Sequence, residues 1–143
     1  MSKSLEEIKQ EVWNRLETTQ CIYLATAEGV QPRVRPVTLL DIDEKFWIAT
    51  GTDSAKAKQM QSNPNVEFCL PLTDEGGVGY IRVAGEADAV TDPETRASIG
   101  NQVPFLKEFW TGVDDPTFCL FRITRVEVEY LPPGEFESHS FLV

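Results

Sequence analysis

The sequence is poor in positive charge. It has 13 Lys and Arg residues against 23 Asp and Glu residues, which gives a formal net charge of −10 at pH 7 with the histidine neutral. Binding to nucleic-acid backbones and to anionic lipid surfaces depends on clustered Lys and Arg. We therefore expect neither a nucleic-acid partner nor a membrane partner.

Histidine and paired cysteines are also scarce. His139 is the only histidine, and Cys21, Cys69 and Cys119 lie far apart with no C-x-x-C spacing. A zinc site or a histidine-based catalytic triad therefore lacks most of its groups. We expect no metal site, and we expect the cysteines to be small reduced core residues.

Long apolar runs are missing as well. The longest clean apolar stretch, Cys21 to Ala27, is seven residues, whereas a membrane-spanning helix needs roughly 20. Met1 to Glu11 has no basic start followed by an apolar core, which is the pattern of a secretory signal. We therefore expect a cytoplasmic protein without a membrane span.

The sequence does contain enough apolar residues for one packed core. Hydrophobic residues make up 41% of 143, which predicts a single domain over residues 1–143. The capping box Ser4-Leu5-Glu6-Glu7 starts an amphipathic helix that runs to about Thr18, so that residues 1–19 form an N-terminal helical segment. The polar, proline-punctuated residues 132–143 are expected to be a loose tail, or to be ordered by docking on a partner.

Between these ends the pattern is mainly β, with short helices. Alternating β-branched and aromatic residues, punctuated by turn residues, predict successive hairpins, and a chain of such strands is most simply closed as a small antiparallel barrel, closed or split, with short flanking helices. The predicted strands are 20–27, 31–40, 46–50, 66–72, 78–90 and 118–131, and the predicted helices are 4–18, 54–62 and an interrupted segment from 92 to about 110.

Four of the thirteen cations lie on two neighbouring predicted elements. Arg33 and Arg35 share a strand, and Ser54-Ala55-Lys56-Ala57-Lys58 opens a helix whose N-terminal N–H groups favour an anion. These groups together suit a phosphate, although Asp53 at the probable cap would repel one unless it points away. The alternative is that the arginines flank an exposed strand face and the lysines solvate a surface helix.

Five motifs follow one another in an order that is characteristic of one family. They are Gln31-Pro32-Arg33-Val34-Arg35-Pro36-Val37-Thr38, Asp43-Glu44-Lys45, Ser54-Ala55-Lys56, Asn63-Pro64-Asn65-Val66 and Ile81-Arg82-Val83-Ala84-Gly85-Glu86-Ala87. Over about residues 20–90 the sequence resembles the FMN-binding split-barrel family that includes the pyridoxamine 5′-phosphate oxidases. The resemblance implies a small antiparallel split β-barrel of Greek-key type.

The resemblance also implies a cofactor site. Arg35 and Lys56 would bind the FMN phosphate, and Ser54 with the helix start would assist. The other cofactor contacts that it implies are the backbone of Pro36, Val37 and Thr38, then Ala49 and Thr50 on the next strand, and Tyr80. FMN lies at a homodimer interface in this family, so a second subunit would supply part of the wall. Trp110, Phe109 and Tyr23 are unranked candidates for an aromatic wall.

Two departures and a missing segment set the chain apart from full pyridoxamine phosphate oxidases. Ala55 stands where those enzymes have a phosphate-binding arginine, a loss for which Lys58 or Arg33 is a candidate to compensate. Leu40 stands where they have a substrate-phosphate lysine, and their C-terminal Arg, His and Trp residues are absent. Oxidation of vitamin B6 phosphates is therefore not expected.

The leading hypothesis is an FMN-dependent, flavin-reductase-like oxidoreductase with a small-molecule substrate. The flavin would carry the hydride or electron transfer, so that no catalytic side chain is predicted. Reduced nicotinamide is a candidate donor, and a quinone, a nitro compound or a free flavin is a candidate acceptor. The alternative is a non-catalytic module that holds a flavin, deazaflavin or haem on the same dimer, and an oligonucleotide-binding barrel is a third possibility that the charge opposes.

Overall fold

The structure, a computed structural model, describes residues 3–143. Its strands all pair in antiparallel fashion, and its helices are short. In chain order the elements are α1 (Leu5–Arg15), β1 (Thr19–Glu28), β2 (Gln31–Ile42), β3 (Lys45–Gly51), α2 (Ala55–Ser62), β4 (Asn65–Asp74), β5 (Gly77–Ala89), α3 (Pro93–Gly100), α4 (Leu106–Phe109), β6 (Phe118–Leu131) and β7 (His139–Leu142).

The sheet closes on itself as a barrel. Its strand order is β3-β2-β1-β4-β5-β6-β7, and β3 also pairs with β6. Asp43 and Glu44 take positive φ angles of 58° and 56°, which is the geometry of a tight hairpin turn between β2 and β3. Because β4 returns beside β1, the first four strands form a Greek key. The predicted mainly β, antiparallel barrel is confirmed.

The barrel is split along β2. Only the last part of this strand, Leu40 to Ile42, pairs with β3. The rest of β2 pairs with β1 on one side, and its other edge diverges from β3. The ring is instead completed by pairing of β3 with the start of β6, from Gly51 opposite Phe118 to Phe46 opposite Ile123. A groove is therefore expected where β2 and β3 separate.

Two hydrophobic clusters stabilise the fold. The larger fills the barrel interior, and α1 contributes Ile8 and Val12 to it. The smaller lies outside the barrel, where Leu40, Trp47 and Leu120 of the strands pack against residues of α3 and α4. α3 and α4 therefore cover the outside of the wall at β3 and the start of β6, beside the divergence of β2 and β3.

The N-terminal helix is shorter than its pattern predicts. It ends at Arg15 because Leu16 is already extended, with φ −89° and ψ 135°. Arg15 Nε donates to the Tyr130 hydroxyl at 2.9 Å, and that hydroxyl donates to Glu11 at 2.7 Å. These contacts hold the last turn of α1 on β6, so tertiary contacts rather than helix propensity decide where α1 stops.

Two further expectations are wrong. Only Cys119 is buried, whereas Cys21 is exposed and Cys69 is half-buried, because odd-numbered residues of β1 and β4 point out of the barrel. The C-terminal segment is not a loose tail, since β7 pairs with β6 and Phe141 is buried in the interior cluster. Separately, no helix within residues 3–143 is long and apolar enough to cross a membrane.

Candidate functional site

The unpaired edge of β2 carries the predicted ring-contacting segment. Pro36 lies opposite Tyr23 of β1, and Val37 and Thr38 lie opposite Ile22 and Cys21. Pro36 is exposed, and Val37 and Thr38 are half-buried. Because β3 has already diverged here, the free backbone groups of this edge are available to a ligand.

Arg35 is anchored by a polar network at the base of this edge. One terminal nitrogen, Nη1, donates to the Thr26 hydroxyl at 2.8 Å and to the Leu24 carbonyl at 3.2 Å. The other, Nη2, donates to Gln59 Oε1 at 2.8 Å, which also accepts from the Thr26 hydroxyl at 2.6 Å. Thr26 and Gln59 are buried, so the arginine joins β1, β2 and α2 as well as presenting a positive charge.

Two hydroxyl groups stabilise the start of α2. Ser54 is the N-cap, and its Oγ accepts from the Ala57 N–H at 3.2 Å. The Thr50 hydroxyl at the end of β3 lies 3.0 Å from Ser54 Oγ. This pair fixes the direction in which α2 leaves β3, and it leaves the first N–H groups of the helix open to an anion. Asp53 is exposed and is not the cap.

Lys56 and Arg35 lie within electrostatic reach of each other. Burial, followed by the positive charge of Arg35, lowers the pKa of the Lys56 ammonium. Burial, followed by the charge of Arg33, lowers the pKa of Arg35. Within residues 3–143 neither Arg35 nor Lys56 forms an ion pair. Two partly desolvated cations without a carboxylate partner make a position that favours an anion.

A cleft of about 430 Å³ opens beside Lys56. We call it the aromatic cleft. It brings together four of the predicted site residues with three aromatic side chains of the α4 region, and it is lined by Ala49, Thr50, Gly51, Ser54, Lys56, Phe105, Phe109 and Trp110. Gly51 and Phe105 were not predicted from the sequence. Phe105 follows Pro104 in an irregular segment, and no sequence pattern distinguishes it, whereas Phe109 and Trp110 were among the candidates for an aromatic wall.

A second cavity lies against another face of α2 and is larger, about 590 Å³. Asp53, Glu28 and Lys58 are among its lining residues, with Gln59 and Ala55. Its two carboxylates oppose an anionic ligand. Asp53 lines this cavity and is not among the residues of the aromatic cleft.

The other predicted cations are engaged elsewhere. Arg33 forms an exposed ion pair with Glu28 at 2.9 Å, and Lys58 lines the larger cavity. Arg33 contributes to the site through its charge on Arg35. Neither residue lies in the aromatic cleft as a substitute for the donor that Ala55 lacks.

Tyr80 lies in a different part of the barrel. It pairs with Leu131 near the end of β6, whereas Ala49 pairs with Leu120 near the start. Its hydroxyl donates to Glu129, and this hydrogen bond raises the pKa of Tyr80. Tyr80 is not among the residues of the aromatic cleft, so its contact with a cofactor stays a prediction.

Leu40 is the residue that stands, by the resemblance, where the oxidases that act on vitamin B6 phosphates have a lysine. It is completely buried and packs in the outer cluster under α3 and α4. A side chain at this position is therefore part of the core and is not presented to a substrate. Within residues 3–143 no group of three or more metal-ligating side chains lies close enough to hold a metal ion.

The fold and the site define a class of protein: small antiparallel split barrels with a basic, aromatic-lined cleft where the third strand meets its helix. The chain belongs to the pyridoxamine 5′-phosphate oxidase family, because the family described as "Pyridoxamine 5'-phosphate oxidase" matches residues 8–131. The resemblance found in the sequence motifs is confirmed. The chain is a member related to the oxidases that give the family its name and is not one of them.

Individual relatives cover nearly the whole chain. General stress protein 26 of Bacillus subtilis (strain 168) is 28% identical over 131 residues, which cover 91% of this chain and 92% of the relative. A NimC/NimA family protein from Clostridium acetobutylicum has a structure with a TM-score of 0.75 and 30% identity, covering 94% of this chain and 91% of that one. A heme binding protein from Mycobacterium smegmatis has a TM-score of 0.74 at 16% identity, covering 99% of this chain and 59% of that one, and this likeness shows the fold alone.

Proposed function

We propose that the protein is an FMN-dependent oxidoreductase that works as a homodimer on a small-molecule substrate. The observation that carries the proposal is the pair of Arg35 and Lys56. The positive charge of Arg35 acts on Lys56, and neither cation has a carboxylate partner within residues 3–143. A phosphate between them would relieve their mutual repulsion and replace the water that burial removes.

The aromatic cleft fits the rest of such a cofactor. Thr50, Ser54 and the open N-terminus of α2 supply donors beside Lys56 on the polar side of the cleft. Ala49 and the free edge at Pro36 to Thr38 would border the flavin. The flavin, when bound, supplies the hydride and electron transfer. The chain itself binds the phosphate, orients the ring and limits access.

A second subunit is expected to complete the site. The outward face of the β1–β2 hairpin is apolar, with Tyr23 48% exposed and Val34 69% exposed. Tyr23 lies opposite Pro36, and Ala25 lies opposite Val34, so these side chains form one continuous surface beside the ring-contacting edge. A patch of this kind indicates a protein interface, and an isologous contact would place part of the partner over the cofactor.

The test compares two lysines of one helix. The purified protein is stripped of any ligand and titrated with FMN, and flavin fluorescence is recorded for the wild type, Lys56→Met and Lys58→Met. We expect Lys56→Met to weaken FMN binding about ten- to hundredfold, the scale of a charge-assisted hydrogen bond. Lys58→Met removes the same charge from the larger cavity and is expected to stay within about threefold.

Stability supplies an independent check on the Lys56 variant. The lowered pKa of Lys56 means that its charged form is disfavoured by burial and by Arg35, so removing that charge should leave the ligand-free protein at least as stable as the wild type. Equal FMN affinity in Lys56→Met and the wild type would contradict the proposed site. A wild-type protein that binds no FMN would contradict the proposed function.

A second candidate is a module that holds haem or a deazaflavin without turnover. It is favoured by the structural likeness to the heme binding protein from Mycobacterium smegmatis. It ranks below the flavin proposal because the only histidine, His139, lies on β7 and is not among the residues of the aromatic cleft. Titration with haemin, read as a Soret band that saturates at one haem per chain, would support this candidate. Bleaching of a bound flavin by reduced nicotinamide would support the enzyme.

A further inference from the structure

An aromatic cluster with no assigned role lines one side of the aromatic cleft. Trp110 packs on the buried Phe118 with ring centroids 5.0 Å apart, and Phe109 packs on Trp110 at 5.6 Å. Exposure rises along this series, from 1% for Phe118 to 70% for Phe109. A phenylalanine left mostly in water contributes little to the core, so packing within the chain does not account for Phe109.

The cluster is held firmly although it is exposed. The Trp110 indole N–H donates to the Thr117 carbonyl at 3.2 Å. The Asp115 carboxylate accepts from the N–H groups of Thr111 and Thr117, and these hydrogen bonds lower the pKa of Asp115 to about 2. Arg96 stacks on Phe118 at 4.7 Å and donates to its carbonyl. Phe109 and Trp110 therefore lie beside a segment that these hydrogen bonds hold in place.

The two sides of the cleft differ in chemistry. Lys56, Thr50 and Ser54 form a polar side that the cofactor proposal uses, whereas Phe109 and Trp110 form an apolar side. Ring faces favour flat π-systems in offset or edge contact. Among the described residues that line the cleft, Lys56 is the charged one and it lies on the polar side, so the apolar side favours an uncharged ligand.

Building on the proposed function, we propose that Phe109 and Trp110 form the binding platform for a planar, uncharged aromatic electron acceptor of the quinone class. The overall reaction is balanced with one reduced nicotinamide dinucleotide as donor. One such molecule and one proton convert one quinone to its hydroquinone and leave the oxidised nicotinamide, which is a transfer of two electrons and two protons. Phe109 binds the acceptor and takes no part in proton transfer.

The test uses the FMN-loaded protein with two acceptors of different shape and charge. Menadione is flat and uncharged, whereas ferricyanide is an octahedral anion that gains nothing from a ring platform. Phe109→Ala is compared with the wild type and with Phe136→Ala, which removes an equally aromatic, fully exposed side chain from the loop between β6 and β7. FMN affinity and melting temperature are measured for all three proteins.

We expect Phe109→Ala to raise the KM for menadione about three- to tenfold, the range of one aromatic contact. Its kcat with ferricyanide and its FMN affinity should remain within about twofold of the wild type. Menadione binding without a donor, followed by quenching of tryptophan fluorescence, should weaken by the same factor. Phe136→Ala should match the wild type in every measurement.

Two results would overturn the inference while leaving the proposed function intact. One is an unchanged menadione KM and unchanged menadione quenching in Phe109→Ala. The other is loss of FMN affinity in that variant, which would make Phe109 a wall of the cofactor site. If the wild-type protein binds no FMN, the proposed function fails, and this is seen in the FMN titration before any acceptor is added.

Discussion

The two parts of β2 differ in strand pairing and in burial although they belong to one continuous strand. From Leu40 to Ile42 the strand pairs with β3, Leu40 also pairs with β1, and both Leu40 and Ile42 are buried. From Gln31 to Thr38 it pairs only with β1, and Val34 and Pro36 face solvent. The closed part holds the barrel together, while the open part offers a free backbone edge.

The difference shows how a barrel supplies a binding site at low cost to its stability. Closure by β3 and β6 does not require the first part of β2, so its edge is free for a ligand. Arg35 is the exception, because it lies on the open part but its guanidinium reaches the buried Thr26 and Gln59. Substitutions in the two parts should therefore affect stability and binding in different proportions.

The largest expected contrast is between Leu40 and Val34. Leu40→Ala leaves a cavity in the outer cluster and should lower the free energy of unfolding by about 2–5 kcal/mol. Val34→Ala on the open part should change it by less than about 0.5 kcal/mol. Urea denaturation of both variants measures the contrast, and equal losses would show that the open part also supports the core.

Arg35→Ala should lower the stability of the protein, although Arg35 lies on the open part of β2. It leaves Gln59 Oε1 and the Leu24 carbonyl without this donor, which should lower the free energy of unfolding by about 1–3 kcal/mol. Arg33→Ala removes only an exposed ion pair and should lower it by less than about 1 kcal/mol. Urea denaturation of both variants in the absence of FMN measures this difference in the free energy of unfolding. A neutral Arg35→Ala would mean that its hydrogen bonds do not hold α2 on the barrel.

Association should depend on the open part and not on the closed part. Val34→Asp places a charge on the apolar face of the β1–β2 hairpin and should raise the dissociation constant of the proposed dimer at least about tenfold. Leu142→Asp changes a similarly exposed apolar residue on β7 and should leave association unchanged. Light scattering over a concentration series reads the mass against 16.1 kDa per chain. A wild-type monomer that still binds FMN would contradict the shared site.

The smallest effect concerns Asp41 in the closed part. Burial, followed by the charge of Glu44, raises the pKa of Asp41, and its Oδ1 is buried without a hydrogen-bond partner in residues 3–143. An acid with a raised folded-state pKa lowers stability when it is ionised, and the cost disappears as the pH falls through that pKa. Asp41→Asn should therefore stabilise the protein at neutral pH by less than about 1 kcal/mol, because the side chain is partly solvated.

The check on Asp41 is a pH series of unfolding experiments. The difference in stability between Asp41→Asn and the wild type should shrink as the pH is lowered toward 3.8, the ordinary pKa of the residue. A difference that stays constant over this range would show that the substitution acts through packing rather than through charge.

Local patterns predicted the elements well where neighbours in sequence decide them. The cap at Ser4, the stop before Pro64 and the turn between β2 and β3 follow from single residues, and the motif order identified the family. The end of α1, the strand in the C-terminal segment and the exposed Cys21 were missed. Each depends on contacts with distant strands, such as Arg15 with Tyr130 and Phe141 with the interior cluster.

The candidate site shows the same division. Residue types and spacing indicated a group of four cations at a helix start, because these are local features, and the family resemblance selected Arg35, Ser54 and Lys56. The sequence could not show that Gln59 and Thr26 hold Arg35, or that Phe105 lines the cleft beside Phe109 and Trp110, since a buried glutamine and a half-buried phenylalanine have no distinctive spacing. Tyr80 was selected by resemblance alone, and the barrel places it near the far end of β6.

The sequence by itself determined most of the strands, the start of α1 and the kinds of group available for binding, because these depend on side-chain chemistry and on alternation along a few residues. Tertiary structure alone decided which of those groups meet. Barrel closure brings the end of β3 and the start of α2 beside the α4 region at one cleft, and it places Arg35 close enough to Lys56 for its charge to lower the pKa of the lysine. Such proximity arises from contacts between residues far apart in the chain, and no local pattern records it.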